Sequence, residues 1–305
     1  MKKSVVSIGE VLFDVYPLAR HMGGAPLNFA YHMHRLGAEV FLASRVGTDA
    51  EGEQICSFLE RSGMSKKLIQ HDSLHPTGTV HVDLDSAGVP SFTINPQSAW
   101  DYLDPGPSLM ESAKKADIVY YGTLALRAPH SRSTILSLLR HIRAGACGNP
   151  LLFLDINLRT PWYTPETLHL SLSLCNYLKT NEEELKVLRQ ILETPQGEES
   201  TAKALMAKFG ISGICVTKGD QGAAFYTEEN VYSVSDNHIH QKAVVDTVGA
   251  GDGFSAVLAA GLLLGLHPEN IIKEAHWFAS SLCGLQGAIP VQTAYHEEIL
   301  NRLSY

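Results

Sequence analysis

Asp246-Thr247-Val248-Gly249-Ala250-Gly251-Asp252-Gly253-Phe254 is the most informative stretch of this 305-residue chain. It follows a strand-like run over residues 242–245 and opens an apolar helix that runs to about Leu264. Small residues let the backbone approach an anion closely, and the first N–H groups of a helix have no internal partner. Gly249, Ala250 and Gly251 therefore form a cradle for a phosphate or a developing phosphoryl charge, helped by the helix dipole. Asp252 is the odd element, since a carboxylate there repels a bound phosphate unless it takes a proton from an attacking hydroxyl. Taken alone, the stretch also fits a glycine-rich strand-to-helix turn with an acid favoured by the dipole. It is not a Walker A loop, because no Gly-Lys-Ser/Thr follows.

Outward from this turn, β-rich runs at 4–8, 40–44, 118–121, 151–155, 177–180 and 214–217 alternate with helical patterns at 27–36, 53–61, 131–143 and 182–192. Such alternation predicts an α/β protein with a mostly parallel sheet and helices on both faces. Ligands then bind at the carboxyl ends of the strands. Two segments break the rhythm. Residues 11–15 follow the first strand without a helix, and 79–85 alternate with period two, turn at Ser86-Ala87-Gly88 and resume at 91–94. This hairpin pattern predicts a small β-sheet lid formed by about 11–22 and 78–96, though an ordinary edge hairpin fits the pattern equally. With no repeat or long linker, a single domain over 1–305 is expected. Pro195 to Ser200 reads as a polar loop, and the chain from Asp246 onward as mostly helical.

Composition narrows the partners. A 45% hydrophobic content supports a large core, and a formal net charge of −8 without a basic block argues against nucleic acid or an anionic membrane. The longest apolar run, 256–266, contains two glycines and is too short to cross a bilayer. Met1-Lys2-Lys3 leads directly into a strand-like run without a signal-peptide core, so a soluble, cytoplasmic protein is expected. Five scattered cysteines (Cys56, Cys147, Cys175, Cys215, Cys283) read as free thiols. The fourteen histidines make no metal-ligand pattern; His32 and His34 fall on different faces of one helix, His238-Ile239-His240 lies in a loop or strand, and all are expected at the surface.

A second stretch, Gly23-Gly24-Ala25-Pro26-Leu27-Asn28-Phe29-Ala30 followed by Gly37 and Gly47, joins the first. Together they closely resemble the two signatures of the PfkB, or ribokinase-like, sugar kinases, in the family's order and across essentially the whole chain. The resemblance implies a ribokinase-like three-layer α/β/α fold with a small β-sheet lid. It implies Asp252 as catalytic base, Gly249, Ala250 and Gly251 as anion hole, and Asp14, Gly24 and Asn28 as sugar contacts. The residues agree: Gly23-Gly24 allows close backbone approach, Pro26 suits a first helical turn, and Asn28 offers both donor and acceptor.

Further elements follow from the resemblance. Asp155-Ile156-Asn157-Leu158-Arg159 is similar to the Asp-Pro-Asn-x-Arg element of fructokinases and 2-keto-3-deoxygluconate kinases, with Ile156 in place of proline, and implies that Asn157 and Arg159 line the cleft. Asn181-Glu182-Glu183-Glu184 resembles the family's Asn-x-x-Glu motif, which implies Asn181 and Glu184 near nucleotide phosphate and Mg2+-bound water. The same residues also fit a capping box at a helix start. Thr217, Gly219, Gly222 and Ala279 are the implied ATP contacts, with Lys218 a phosphate ligand or a solvated turn residue. Asp246 suits a monovalent cation such as K+. Asn95-Pro96-Gln97-Ser98-Ala99 lacks the arginine that relatives acting on 2-keto-3-deoxygluconate carry, which favours fructose, phosphorylated at its 6-hydroxyl. Ribokinase, 2-keto-3-deoxygluconate kinase and nucleoside kinase remain alternatives within the family, and a non-catalytic sugar-binding sensor one outside its chemistry. The apolar face and open edges of the lid suggest a homodimer formed through it.

Overall fold

A computed structural model describes residues 3–17, 19–84, 90–145, 149–235, 244–290 and 294–303. In chain order the elements are β1 (Ser4–Ile8), β2 (Leu12–Val15), β3 (Arg20–Gly23), α1 (Ala25–Arg35), β4 (Glu39–Gly47), α2 (Ala50–Arg61), β5 (Ile69–Asp72), β6 (Gly78–Leu84) and β7 (Pro90–Ile94). Then come α3 (Pro107–Lys115), β8 (Ile118–Tyr121), α4 (Pro129–Arg143), β9 (Leu151–Asp155), α5 (Pro165–Leu174), β10 (Tyr177–Asn181), α6 (Glu182–Leu192) and α7 (Glu198–Phe209). The chain closes with β11 (Gly213–Thr217), β12 (Ala223–Thr227), β13 (Val231–Val234), α8 (Ala250–Leu264), α9 (Pro268–Leu282) and α10 (Ala294–Leu303).

The main sheet has the order β13-β12-β11-β10-β9-β8-β1-β4-β5. Its strands run parallel from β11 to β5, and β12 and β13 add an antiparallel edge. Successive side chains of a strand point to opposite faces, and here both faces are covered. Val5, Tyr120, Phe153 and Cys215 join α1, α8 and α9 on one side; Val6, Tyr121, Leu154 and Val216 join α4, α5 and α7 on the other. This double burial explains the continuous apolar runs of the strands. A second sheet, β3-β2-β6-β7, leaves the main one after β1 and returns before α3. The 86–88 turn of its hairpin lies outside the described residues.

Helix starts follow local chemistry. Pro26 sits in the first turn of α1, and Asp49 caps α2 by accepting the Gly52 N–H at 2.8 Å. Helix α8 is apolar on nearly every side, with Phe254, Ala256, Val257, Leu258 and Ala259 all buried, because α1 and α9 flank it against the sheet. Val257 is a packing residue.

Several expectations need correction. Val244 to Thr247 is irregular backbone, not the end of a strand, while 242 and 243 lie outside the described residues. The polar stretch read as a loop after Pro195 already starts α7 at Glu198: Gly197 provides the N-cap with φ 95°, and two glutamates in the first turn suit the dipole. The histidines are not all at the surface. His32, His276 and His296 are buried, and His32 Nδ1 meets His296 Nε2 at 2.9 Å. Helix α10 folds back over α1 and supplies a partner that helical position alone could not reveal. His238 and His240 lie outside the described residues, as does Cys147. Cys175 and Cys215 are buried free thiols, and Cys56 and Cys283 are partly exposed ones.

Candidate active site

Asn181 and Thr217 end β10 and β11, and a cavity of about 680 Å³ opens there. Thr217, Gly219, Gly222 and Asn181 line one wall, Ala279 and Ser280 of α9 another, and Ala250 and Gly251 the inner end. Gly249 makes the turn into α8 with φ 79°, and a Cβ there would lie 2.4 Å from that of Ala288. Only glycine meets both demands. The turn therefore packs flush on the segment after α9; the Ala250 N–H turns back to the Thr247 carbonyl oxygen at 3.3 Å, and Ala250 and Gly251 line the cavity.

Asp252 stands one residue beyond, in the first turn of α8. Asn28 Nδ2 donates to its Oδ2 at 2.7 Å, joining the two sequence motifs 224 positions apart. Burial pushes the Asp252 carboxyl up to about 7, and the neighbouring charge of Asp155 adds to the rise; Asn28, Lys179 and Arg159 pull the other way. Asn28 thus gives an N–H to Asp252, and among the described residues its buried Oδ1 has no partner.

On the far side of Asp252, the chain following β1 supplies acids. Glu10, 2% exposed, is raised to about 7 by burial, and its Oε2 has no partner among the described residues. The sequence reading missed it as a site residue, although its place just past the carboxyl end of β1 is a signal. Asp14, on β2, is raised by burial to about 6, with Arg159 and His21 opposing. Gly24 has φ 108°, and a Cβ there would lie 2.6 Å from the Glu10 carbonyl oxygen. Asn157 adopts the left-handed conformation at φ 41°, and Arg159 beyond it is exposed. The Arg159 charge lowers the pKa of Glu10, Asp14 and Asp252 alike.

Other implied residues serve the scaffold. Asn181 and Glu184 form a full capping box: Asn181 Oδ1 accepts the Glu184 N–H at 2.8 Å, and Glu184 Oε2 accepts the Asn181 N–H at 2.9 Å. Glu184 Oε1 also accepts the Leu158 N–H at 2.9 Å, tying α6 to the loop that carries Asn157 and Arg159. Asp246 accepts N–H groups from Val248 and Gly287, both at 3.0 Å, and so braces the glycine turn to the chain after α9. Lys218 pairs with Glu198 at 2.8 Å. An arginine does reach Asn95, from elsewhere in the chain. Arg127 donates to the Asn95 carbonyl oxygen at 2.6 Å and pairs through two nitrogens with Asp101, between the rings of Trp100 and Trp162. Among the described residues, no group of three or more His, Cys, Asp or Glu side chains could hold a metal ion, and no helix is long and apolar enough to cross a membrane.

Comparison with known proteins agrees with the fold. A model of the family described as "pfkB family carbohydrate kinase" matches residues 2–294. The uncharacterized sugar kinase PH1459 of Pyrococcus horikoshii is 30% identical over 303 residues, covering 93% of this chain and 91% of its own. Its structure in complex with ATP superposes with a TM-score of 0.79 at 26% identity, over 97% of this chain and 99% of that one. The fructokinase of Klebsiella pneumoniae is 30% identical over 298 residues, 93% of this chain and 92% of its own. A fructokinase double mutant from Vibrio cholerae, solved in a fructose, ADP and potassium ion bound form, has a TM-score of 0.80 at 25% identity, with 97% of each chain covered.

Proposed function

Because this chain belongs to the pfkB family of carbohydrate kinases, we propose that it transfers the γ-phosphoryl group of ATP to the 6-hydroxyl of fructose, with Asp252 as the base. One observation carries the reading. A carboxyl with a pKa of about 7, held by Asn28, stands in the first turn of α8 next to Gly251, which lines a large cavity. Such a group can take a proton from a neutral hydroxyl, and the amides can meet the charge that develops on phosphorus.

ATP lies in the cavity between the Thr217 to Gly222 loop and α9, its γ-phosphoryl group at 249–251. The sugar lies on the side of Glu10, Asp14, Gly24 and Arg159, under the four-stranded sheet. The sugar oxygen forms a bond to phosphorus while the bond from phosphorus to the β–γ bridging oxygen breaks, and that electron pair leaves with ADP. The hydroxyl proton passes to Asp252. Closure of the small sheet over the sugar excludes water, the competing acceptor. Mg2+ bound there would supply positive charge to the phosphates. Asn181 and Glu184 fit it only through water, because both side chains already serve the α6 cap and Mg2+ keeps most of its own waters. Asp246 is similarly committed, so K+ would share it with two amides.

Fructose is favoured by the fructokinases among the relatives and by the commitment of Arg127 to Asp101, which keeps that cation from an acidic sugar. Coupled ADP release across fructose, ribose, 2-keto-3-deoxygluconate and adenosine tests the substrate, and fructose should give the highest kcat/KM. Asp252→Asn should lower kcat by about 10²–10⁴-fold while sugar binding persists. Undiminished turnover in that variant would remove Asp252 from the mechanism.

A further inference from the structure

Lys179 stands on β10 directly opposite Asp155 of β9, and both side chains point to the face covered by α8. A lysine in the middle layer of an α/β protein is rare unless paired. Lys179 Nζ lies 3.2 and 3.3 Å from the two oxygens of Asp155, which also accepts Ser255 Oγ at 2.7 Å. Ser255 is one turn past Asp252 on α8, so a chain of three side chains links the base's helix to the lysine. Asp155 is 1% exposed and the Lys179 side chain 9%.

Pairing does not account for where the ammonium points. Lys179 lines the nucleotide cavity, and a Cβ built on Gly251 would lie 3.2 Å from its Nζ. The charge therefore sits against Gly251. An ammonium has three N–H donors, and the oxygens of Asp155 are its hydrogen-bond partners among the described residues. A pair that served packing alone could be replaced by apolar side chains of similar volume at little or no loss. This pair instead brings a cation to the inner end of a cavity otherwise lined there by Ala250, Gly251 and Phe254.

We propose that Lys179 is a phosphoryl-binding catalytic residue, whose ammonium, held against Gly251 by Asp155, meets the transferring γ-phosphoryl group from the sheet side while the amides of the glycine turn meet it from the helix side. Lys179 donates hydrogen bonds and charge only; the hydroxyl proton still goes to Asp252 and the electron pair still leaves with ADP. Burial opposes its charge, but Asp155, Glu184 and Asp252 keep its pKa above that of a free lysine, so it stays an ammonium throughout. Ser255 and Asp155 are positioning residues.

The inference rests on the assignment of 249–252 to phosphoryl transfer, and the variants separate the two. Steady-state kinetics with saturating ATP and the best sugar of the panel, ADP titration and thermal unfolding are measured on Lys179→Met, on Lys179→Met with Asp155→Asn, and on Asp252→Asn. Lys179→Met leaves Asp155 buried without its counter-ion and should unfold at a lower temperature; the double variant removes both charges and carries the test. We expect the double variant to unfold near the wild-type temperature, to bind ADP within a few-fold of wild type, and to lose about 10²-fold or more in kcat, the usual effect of deleting one preorganised donor to a transition state. A double variant with wild-type kcat would make Lys179 only the counter-ion of Asp155 and overturn the proposal, even with Asp252→Asn inactive. An active Asp252→Asn would instead overturn the site assignment itself.

Discussion

A side chain that must accept a proton near neutrality works best with a pKa near 7, and burial gives Asp252 that value. With Asp252 as the proposed base the carboxylate is the active form, so kcat/KM should fall tenfold per pH unit below about 7 and level off above it. Asn28 opposes the rise by donating to the charged form. Asn28→Ala should therefore move the acid limb of the kcat/KM profile to higher pH, and a limb that stays in place or moves down would show that Asn28 does not hold the base. At this scale Asp252, Asn28 and the glycines, which the structure brings together, were legible because each stands in a short motif. Lys179 and Glu10 were hidden for the opposite reason. Each is a single charged residue in or beside an apolar strand, and only the register of β9 with β10, or the turn after β1, shows what it faces.

The small sheet is rooted on the main domain through Arg127, Asp101 and the Asn95 carbonyl, the last just past the end of β7. The Arg127 and Asp101 side chains are each 3% exposed, and removing one partner of such a pair strands the other charge. Arg127→Met should lower the stability measured by urea unfolding by about 3–5 kcal/mol, and adding Asp101→Asn should restore part of it. Strands β1, β4 and β8 to β11 were legible as unbroken apolar runs, and α1, α2, α4 and α6 from their periodicity. Helix α7 was not, because its first turn, Glu198-Glu199-Ser200, is as polar as a loop and follows Pro195 and Gly197. Strand β13 escaped because it is an edge strand with a half-exposed pattern. The irregular backbone at Val244 to Thr247 looked like a strand because two adjacent valines favour one, yet both are exposed, Val244 along the cavity.

Across the whole molecule, buried ionisable groups pull in opposite directions with pH. Burial lowers His32 to about 3 and His296 to about 4, while it raises Glu10 and Asp252 to about 7. An unfolded histidine takes up its proton near pH 6.5 and these folded ones do not. Each therefore withdraws stability as pH falls below about 6.5, by about 1.4 kcal/mol per unit until its folded pKa is reached. The two raised carboxyls do the reverse over much of that window, since their folded forms hold protons that the unfolded chain has released. Replacing the pair, His32→Leu with His296→Phe, should unmask this balance. Relative to wild type, the melting temperature of the variant should rise steadily from pH 6.5 to pH 4 and stay level above 6.5. The same ring pair, with Tyr31 donating to the Pro290 carbonyl oxygen at 3.2 Å and Asn28 to Asp252, closes the first helix of the chain onto its last quarter. Those contacts join residues more than 220 positions apart, so a chain still emerging from the ribosome holds Asn28 and the small sheet long before it has a base to orient. A half-made copy cannot split ATP, and chemistry begins only when the two ends of the polypeptide have met.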